Sequence, residues 1–472
     1  MYCGDETGSF IGDVGSHSCR FGYGGEDNPK MVVPSYVSNK QRLAPSALNP
    51  RLAEQELESI LRTPTFTSEE PTVDPTQFLV QGDSVQSWDA LEVAWKSSME
   101  ALRATDTLKH TLGGNPCSTT VKSTNAKGDG RCVHPILAIT PGFTHFAGHG
   151  VKYCEALRRE QYVKTTELLM ESIEASAIFL APSSMLSAFS LGRQTALVVD
   201  IGAGGCRVTP IVDGLVLEQA QRRNGRGGEW LNHVSWKALL QQKLKPKPRY
   251  LLRKRVHAKS PLYHQWAMQE LMYELRTAPH VTLDFWSWDD RVPFTPVPSD
   301  DSPSESPPST PTVEPLTYHL PDGTSIDLST PIGKDFCRIP ELLFTDDVPF
   351  ESTGPPSNLS TLSDLPLHKL IQQSLLAVAD VDVRKDLAGC ICLVGGASVV
   401  PNLEARLSAE LTALLPTMVK PKVTASRNTV ERSCAAWIGA SVLTSLGSFQ
   451  QLWLSRTEYE EYGTTLGIQR FP

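Results

Sequence analysis

Two stretches far apart in the chain repeat one pattern. FIGDVGSHSCR, residues 10–20, and LVVDIGAGGCR, residues 197–207, each run from an apolar strand into Asp-Val-Gly or Asp-Ile-Gly. Each then passes through a turn of small residues and continues as strand. A unit that recurs at such a separation predicts two similar lobes facing each other. Glycine in the turn lets backbone N–H groups approach an anion with no Cβ in between, and an Asp at each strand end can hold the hydration shell of Mg²⁺. One copy alone reads as an ordinary hairpin; the pair predicts a clamp that grips a metal-bound polyphosphate from both sides.

A third element supports the same reading. In LVGGASVVPNLEARL, residues 393–407, a buried strand breaks at Gly395 and Gly396, and a helix is predicted to start near Pro401 and Asn402. Paired glycines between strand and helix let backbone come close to a flat ligand such as adenosine. A plain tight turn is the alternative.

The rest of the chain sets limits. At 472 residues it is long for one hydrophobic core, so two or three packed domains are expected. No apolar run is long enough to span a bilayer, and MYCGDETGSF lacks the basic start and apolar stretch of a signal peptide. A soluble intracellular protein with no membrane partner is expected. Ten cysteines are scattered along the chain, and the close pair Cys390 and Cys392 lies in an apolar strand-like run. They read as reduced thiols, with a zinc site the remote alternative because no second pair accompanies them. The net charge of -8 argues against the whole chain wrapping nucleic acid. Residues 243–259, KLKPKPRYLLRKRVHAK, depart from that balance. They read either as a solvated loop and helix face or as a nuclear-import or DNA-backbone patch.

Strands are expected at Phe10–Val14, Ile136–Thr140, Ala196–Ile201 and Ile391–Val394, and amphipathic helices over residues 161–179, 365–381 and 402–415. That alternation predicts mixed α/β layers. Residues 292–315 are dominated by Pro, Ser and acids, and residues 113–131 by small polar residues. Neither can bury enough apolar surface to fold alone, so both read as insertions.

At this point the motifs resemble those of a known family. FIGDVGSHSCRFGYGGEDNPK, residues 10–30, is similar to the opening of actins and actin-related proteins, with its first phosphate loop and the following GYxGEDxPK. SFQQLWLSRTEYEEYG, residues 448–463, resembles the C-terminal actin signature, with the similar AAWIGASVLTSL before it. WDALEVAW, HPILAITP, SLGRQTALVVD and IPELLF match in order. Residues 37–80, 113–131, 219–276 and 292–315 are divergent or inserted. The start GDETGSFIGDVGSHSCR, with Arg20 where actin has Lys, and PIVDGLVLEQA after the second loop resemble the nuclear type of actin-related protein.

The resemblance implies the bilobed α/β fold shared by actin, Hsp70 and sugar kinases. The first lobe would cover residues 1–190 and the second 191–472, with 437–472 packing back on the first. It implies Mg²⁺ and ATP in the cleft. Asp13 and Asp200 would be the acids on the metal side, through water, and Gly15, Ser16, His17, Gly202, Ala203, Gly204 and Gly205 the phosphate cradles. Arg20 would be the phosphate cation and Gly395, Gly396 and Ala397 the adenosine turn. Three departures speak against hydrolysis. Ser183 stands where actin has the Gln that orients the attacking water, Ala203 where it has a second acid, and Arg207 where it has an assisting His. His17 adds bulk where actin has a loop Gly.

The expectation is therefore a nuclear, non-filamentous scaffold subunit of chromatin-remodelling or histone-acetyltransferase complexes, with ATP as a structural ligand and little or no turnover. Its implied partners are an actin monomer and the helicase-SANT-associated helix of a remodeller motor, or an acetyltransferase scaffold. A nucleosome or DNA contact stays open. The alternatives are an active ATPase or sugar kinase of the same fold and an ATP-hydrolysing, filament-associated cytoskeletal protein. The C-terminal signature and the missing Gln oppose the first, and the divergent residues 38–80 the second.

Overall fold

The structure, a computed structural model, describes residues 8–37, 77–81, 84–111, 134–140, 151–241, 244–252, 261–278, 317–327, 339–345 and 365–471. The two inserts at 113–131 and 292–315, nearly all of 37–80 and the Arg253, Lys254 and Arg255 end of the basic run lie outside the described residues.

Two sheets carry the molecule. The first contains β1 (Phe10–Val14), β2 (Ser18–Tyr23), β3 (Met31–Pro34), β4 (Ile136–Thr140) and β5 (Ala177–Pro182), with Leu454–Ser455 added beside β5. The second contains β6 (Ala196–Ile201), β7 (Cys206–Val212), β8 (Leu215–Val216), β9 (Arg222–Asn224), β10 (Ile391–Val394) and β11 (Val423–Thr424). In each sheet the repeated motif forms an antiparallel hairpin, β1 with β2 and β6 with β7, and its first strand also pairs in parallel with a later one, β4 or β10. The repeat is thus structural as well as sequential. The four expected strands lie at β1, β4, β6 and β10 with the bounds given. Their apolar residues are buried, β4 along its whole length, because covered sheet faces select continuous apolar runs.

Each sheet has its own core. Phe10, Phe21, Trp95, Leu137 and Leu180 belong to one cluster and Leu197, Val199, Leu231, Leu370 and Leu393 to the other. Each such buried side chain contributes about 2 kcal/mol relative to exposure. A small cluster containing Ala188, Val198, Val394 and Ala435 lies where the lobes meet.

The helices that matter to the site are α1 (Ser183–Ser190), α2 (Gly228–Gln241), α3 (Pro261–Thr277) and α4 (Ala435–Thr444). α1 leads from β5 in the first sheet to β6 in the second. α4 leads the chain back, and from it Leu454–Ser455 reaches β5 with Leu454 opposite Ile178. Backbones of the two crossing helices touch: a Cβ on Gly439 would overlap the Leu186 carbonyl. Phe449, Trp453 and Phe471 surround Phe179 at ring-centroid distances of 4.9, 6.4 and 5.3 Å.

Two helix expectations need correction, and a third holds in its bounds but not in its cap. Residues 161–179 do not form one helix: a helix at Val151–Glu167 passes into a wider turn at Leu168–Ser172 and ends before β5. Glu174 has φ 55°, and the AIFLAP run that follows is buried on both faces as a strand, so Ile178 serves the sheet. Residues 365–381 split into Leu367–Ala377 and a second helix, Val381–Ala388. Asp380 starts the latter by accepting from the Asp382 amide at 2.8 Å. The third helix runs over Leu403–Leu414, but Asn402 precedes it with φ 58° and makes no side-chain cap.

Candidate functional site

A cavity of about 580 Å³ opens between the sheets. The β1–β2 turn supplies Asp13, Gly15, Ser16, His17 and Arg20, and the β6–β7 turn supplies Asp200, Gly202, Ala203, Gly204 and Gly205. Gly395, Gly396 and Ala397, just past β10, complete the set, so all thirteen residues singled out from the sequence line one space. Its volume is that of an ordinary small-ligand or cofactor pocket.

The two turns are closed alike. Gly15 N donates to Ser18 O at 3.2 Å and Gly202 N to Gly205 O at 3.0 Å, so these glycine amides serve the turn and the apex residues face the cavity. The second turn is anchored further by backbone. Its Gly202 and Ala203 carbonyls accept from the first amides of α2, Gly228 N at 2.8 Å and Glu229 N at 2.9 Å. These bonds satisfy donors that a helix start otherwise leaves unpaired. Arg223, buried on β9, donates to Gly204 O at 3.1 Å.

Gly395 shows how closely the third segment approaches. Its φ is 97°, in the region that favours glycine, and a Cβ there would overlap the Asp200 carboxylate. A Cβ on Gly396 would meet nothing within 4 Å.

Arg20 Nη1 donates to Asp13 Oδ2 at 2.8 Å, and both side chains are mostly buried. Burial opposes the charge of Arg20, and the adjacent Asp13 carboxylate more than offsets it, holding the guanidinium above its usual range. The expected phosphate cation and the expected metal-side acid therefore already neutralise each other. His17 Nε2 meets Glu270 Oε1 at 2.5 Å, and its ring stacks on Trp266 at 6.1 Å. Both partners belong to α3, so His17 links the first turn to the opposite wall and its bulk is committed to protein.

The departures also converge. Ser183 is the first residue of α1, and Arg207 Nη1 lies 3.4 Å from its Oγ; both line the cavity.

Sequence reasoning missed the α3 wall. Trp266, Gln269, Glu270, Tyr273 and Arg276 line the cavity at spacings of three, four, seven and ten residues, one stripe of a helix. That stripe was the available signal, hidden in a segment read as divergent. Arg276 is 3% exposed, and among the described residues its Nε and Nη1 have no acceptor. Burial pulls it down to about 10, still protonated at neutral pH, so a positive charge stands behind the wall. Burial raises Glu229, against the pull of His17. Burial pushes the Cys19 thiol to about 12, and Cys206 higher, so neither is a nucleophile near neutral pH. Cys19, Cys206, Cys390, Cys392 and Cys434 are free thiols.

Of the basic run, Arg249 pairs with Glu274 at 2.9 Å and the Lys247 amide donates to Asp322, so this part is tied to its own lobe. Among the described residues no helix is long and apolar enough to cross a membrane.

A family profile described as Actin matches residues 4–472. An Arabidopsis thaliana protein named Actin-related protein 4 is 30% identical, over all of this chain and 99% of its own length. Proteins of the same name from Schizosaccharomyces pombe and Saccharomyces cerevisiae are 28% and 25% identical, each over 98% of this chain and 96% of their own lengths.

Proposed function

This chain belongs to the actin family, with full-length relatives named Actin-related protein 4, and from that premise we propose that it is a non-filamentous nuclear scaffold subunit holding ATP as a structural ligand. The observation that carries the reading is the convergence of two Asp-Gly turns and the Gly395–Gly396 segment on one cavity in which Ser183, Ala203 and Arg207 occupy the departing positions.

The residues present fit Mg²⁺ and ATP. Gly396 leaves room where a side chain would intrude, and Arg276 places positive charge behind the wall. Asp13 and Asp200 stand at equivalent ends of β1 and β6, where they would hold the cation through water, and Arg20 would shift between Asp13 and phosphate. Bound Mg²⁺ would neutralise phosphate charge. Ser183 is too short to place a water, and Ala203 has no acid to orient one. Phosphoryl transfer depends chiefly on positioning and electrostatics, so turnover falls by several powers of ten. A ligand that binds only the folded state stabilises it by mass action.

The nuclear scaffold role rests on the family and on the sequence likeness to its nuclear type. It takes an actin monomer and a helicase-SANT-associated helix, or an acetyltransferase scaffold, as partners. Affinity purification from nuclear extract should recover actin with a remodeller motor; cytoskeletal cross-linkers alone would reject the role. A single-turnover assay with radiolabelled ATP, run beside light scattering, tests the chemistry. ATP retained for many hours without scattering is the expected result, and phosphate release at an actin-like polymer rate or salt-induced filaments would defeat it.

A further inference from the structure

His17 and Glu270 belong to bodies with separate cores. The β1–β2 hairpin carries Phe10 and Phe21 into the first core, whereas α3 carries Leu271, Met272 and Leu275 into the second. The His17 backbone has its own anchor, since its carbonyl accepts from the Ser35 amide, just past β3, at 3.0 Å. So has α3: Asn232 Nδ2 on α2 donates to the Gln269 carbonyl at 3.1 Å. The bond between His17 Nε2 and Glu270 Oε1, 2.5 Å long, therefore joins two parts that are each held without it. Trp266, one helical turn before Glu270, lies against the imidazole with 20° between the ring planes.

The place of this bond matters because of where the lobes are already joined. α1 and α4 carry the chain between them, and Ser183, Ser187, Ala435 and Ala436 bring those helices to the cavity. Chain crossings of this kind serve as hinges, and a contact made elsewhere around the cavity must part when they turn. His17 and Glu270 make such a contact, and both line the cavity. Their side chains are 22% and 38% exposed, so water competes for the bond, which biases the lobes without locking them. The glycine that actin has at this loop position offers no side chain for it.

We infer that His17 and Glu270 form a latch that holds the lobes closed over the cavity and parts whenever a ligand enters or leaves. The bond is made in the empty and the filled cleft alike, so it slows entry and exit together and leaves affinity nearly unchanged. The nucleotide reading of the cleft supplies one probe; the latch itself does not depend on it. Cys434 supplies the other, because it lines the same cavity and is 7% exposed, so a bulky thiol reagent reaches it when the cleft opens.

The test compares the full-length parent with Glu270→Ala, His17→Gly and the double variant. Ligand-free protein is treated with fluorescein maleimide, and the labelled peptides are read by mass spectrometry. Cys434 should react ahead of Cys19 and Cys206, which lie in the two cores, and about fivefold faster in each variant than in the parent. The double variant should be no faster than either single one, because all remove the same bond. An unchanged Cys434 rate in the variants, or a Cys434 rate no higher than those of Cys19 and Cys206, overturns the inference. With a fluorescent Mg-ATP analogue, Glu270→Ala should raise the association and dissociation rates by about fivefold each and keep Kd within about twofold. A change in Kd carried by dissociation alone would make Glu270 a ligand contact and sink the latch. A parent that binds no nucleotide yet shows the expected Cys434 rates rejects the nucleotide reading and leaves the latch standing.

Discussion

The β1–β2 and β6–β7 turns share a motif, a register and a closing hydrogen bond, yet they are secured by different means. The first relies on side chains: Arg20 on Asp13 within the hairpin, and His17 on Glu270 across the cleft. The second relies mainly on backbone, through the amides of α2, with Arg223 on the Gly204 carbonyl and the Gly395 segment pressed against Asp200. A duplicated unit thus keeps its strand geometry while its supports diverge. The first turn is held by contacts that a side-chain rotation breaks; the second by contacts that only a backbone movement breaks.

The largest expected effect removes what the turns have in common. Asp13→Ala combined with Asp200→Ala should lower nucleotide retention more than about a hundredfold and abolish thermal stabilisation by Mg-ATP. Equal melting temperatures with and without saturating nucleotide in the parent would show that neither turn serves a nucleotide. Asp13→Ala alone should also destabilise the ligand-free protein by about 3 kcal/mol, because it leaves the mostly buried Arg20 without its carboxylate.

The backbone support of the second turn can be separated next. Gly395→Ala should cost about 2–3 kcal/mol in chemical denaturation, because it forces a side chain into a positive-φ site against Asp200. Gly396→Ala, with open space, should stay within about 0.5 kcal/mol. Similar values for the two would deny the second turn its fixed support.

The cross-cleft contact of the first turn comes third. His17→Gly and Glu270→Gln should each lower ligand-free stability by about 1 kcal/mol, and the double variant should cost less than the sum. Additive losses would mean that the two residues act separately.

The smallest effect is a control distant from both turns. Glu458, at the start of Arg456–Tyr462, is held at about 2 by Arg470, against the opposing effect of burial and with help from the Ser455 amide and hydroxyl. Its folded value lies below the ordinary 4.5, so its contribution is present above that pH and lost as pH falls towards 2. The side chain is 35% exposed, so screening keeps the effect small. Glu458→Gln should lower melting by about 1–2 °C at pH 7 and by nothing near pH 2. A loss that persists at pH 2 would assign the effect to packing.

What could be read from the sequence follows from what each residue does alone. β1, β4, β6 and β10 were legible because covered strands require uninterrupted apolar runs, and the cavity residues because glycine and Asp recur at fixed offsets. The boundary near Glu174 was not, since Leu168, Ile173 and Ile178 satisfy a helical spacing while Ile178 answers to the sheet. Arg207 was visible as a departure from the family pattern, whereas its place opposite Asp200, matching that of Arg20 opposite Asp13, exists only in the strand register. Glu270 and Trp266 could not be matched with His17 from sequence, since that contact exists only after α3 closes the far wall.

The pairing of Leu454–Ser455 with β5 has a consequence for how the protein comes into being. The second sheet draws all its strands from Ala196 to Thr424 and can assemble once that length has left the ribosome. The first sheet cannot. Phe179 waits, without Phe449, Trp453 and Phe471, until residue 471 has been made, and α1 waits for α4. Vectorial synthesis therefore completes the earlier lobe last, and the interval during which its apolar edge is uncovered lengthens with every residue inserted between.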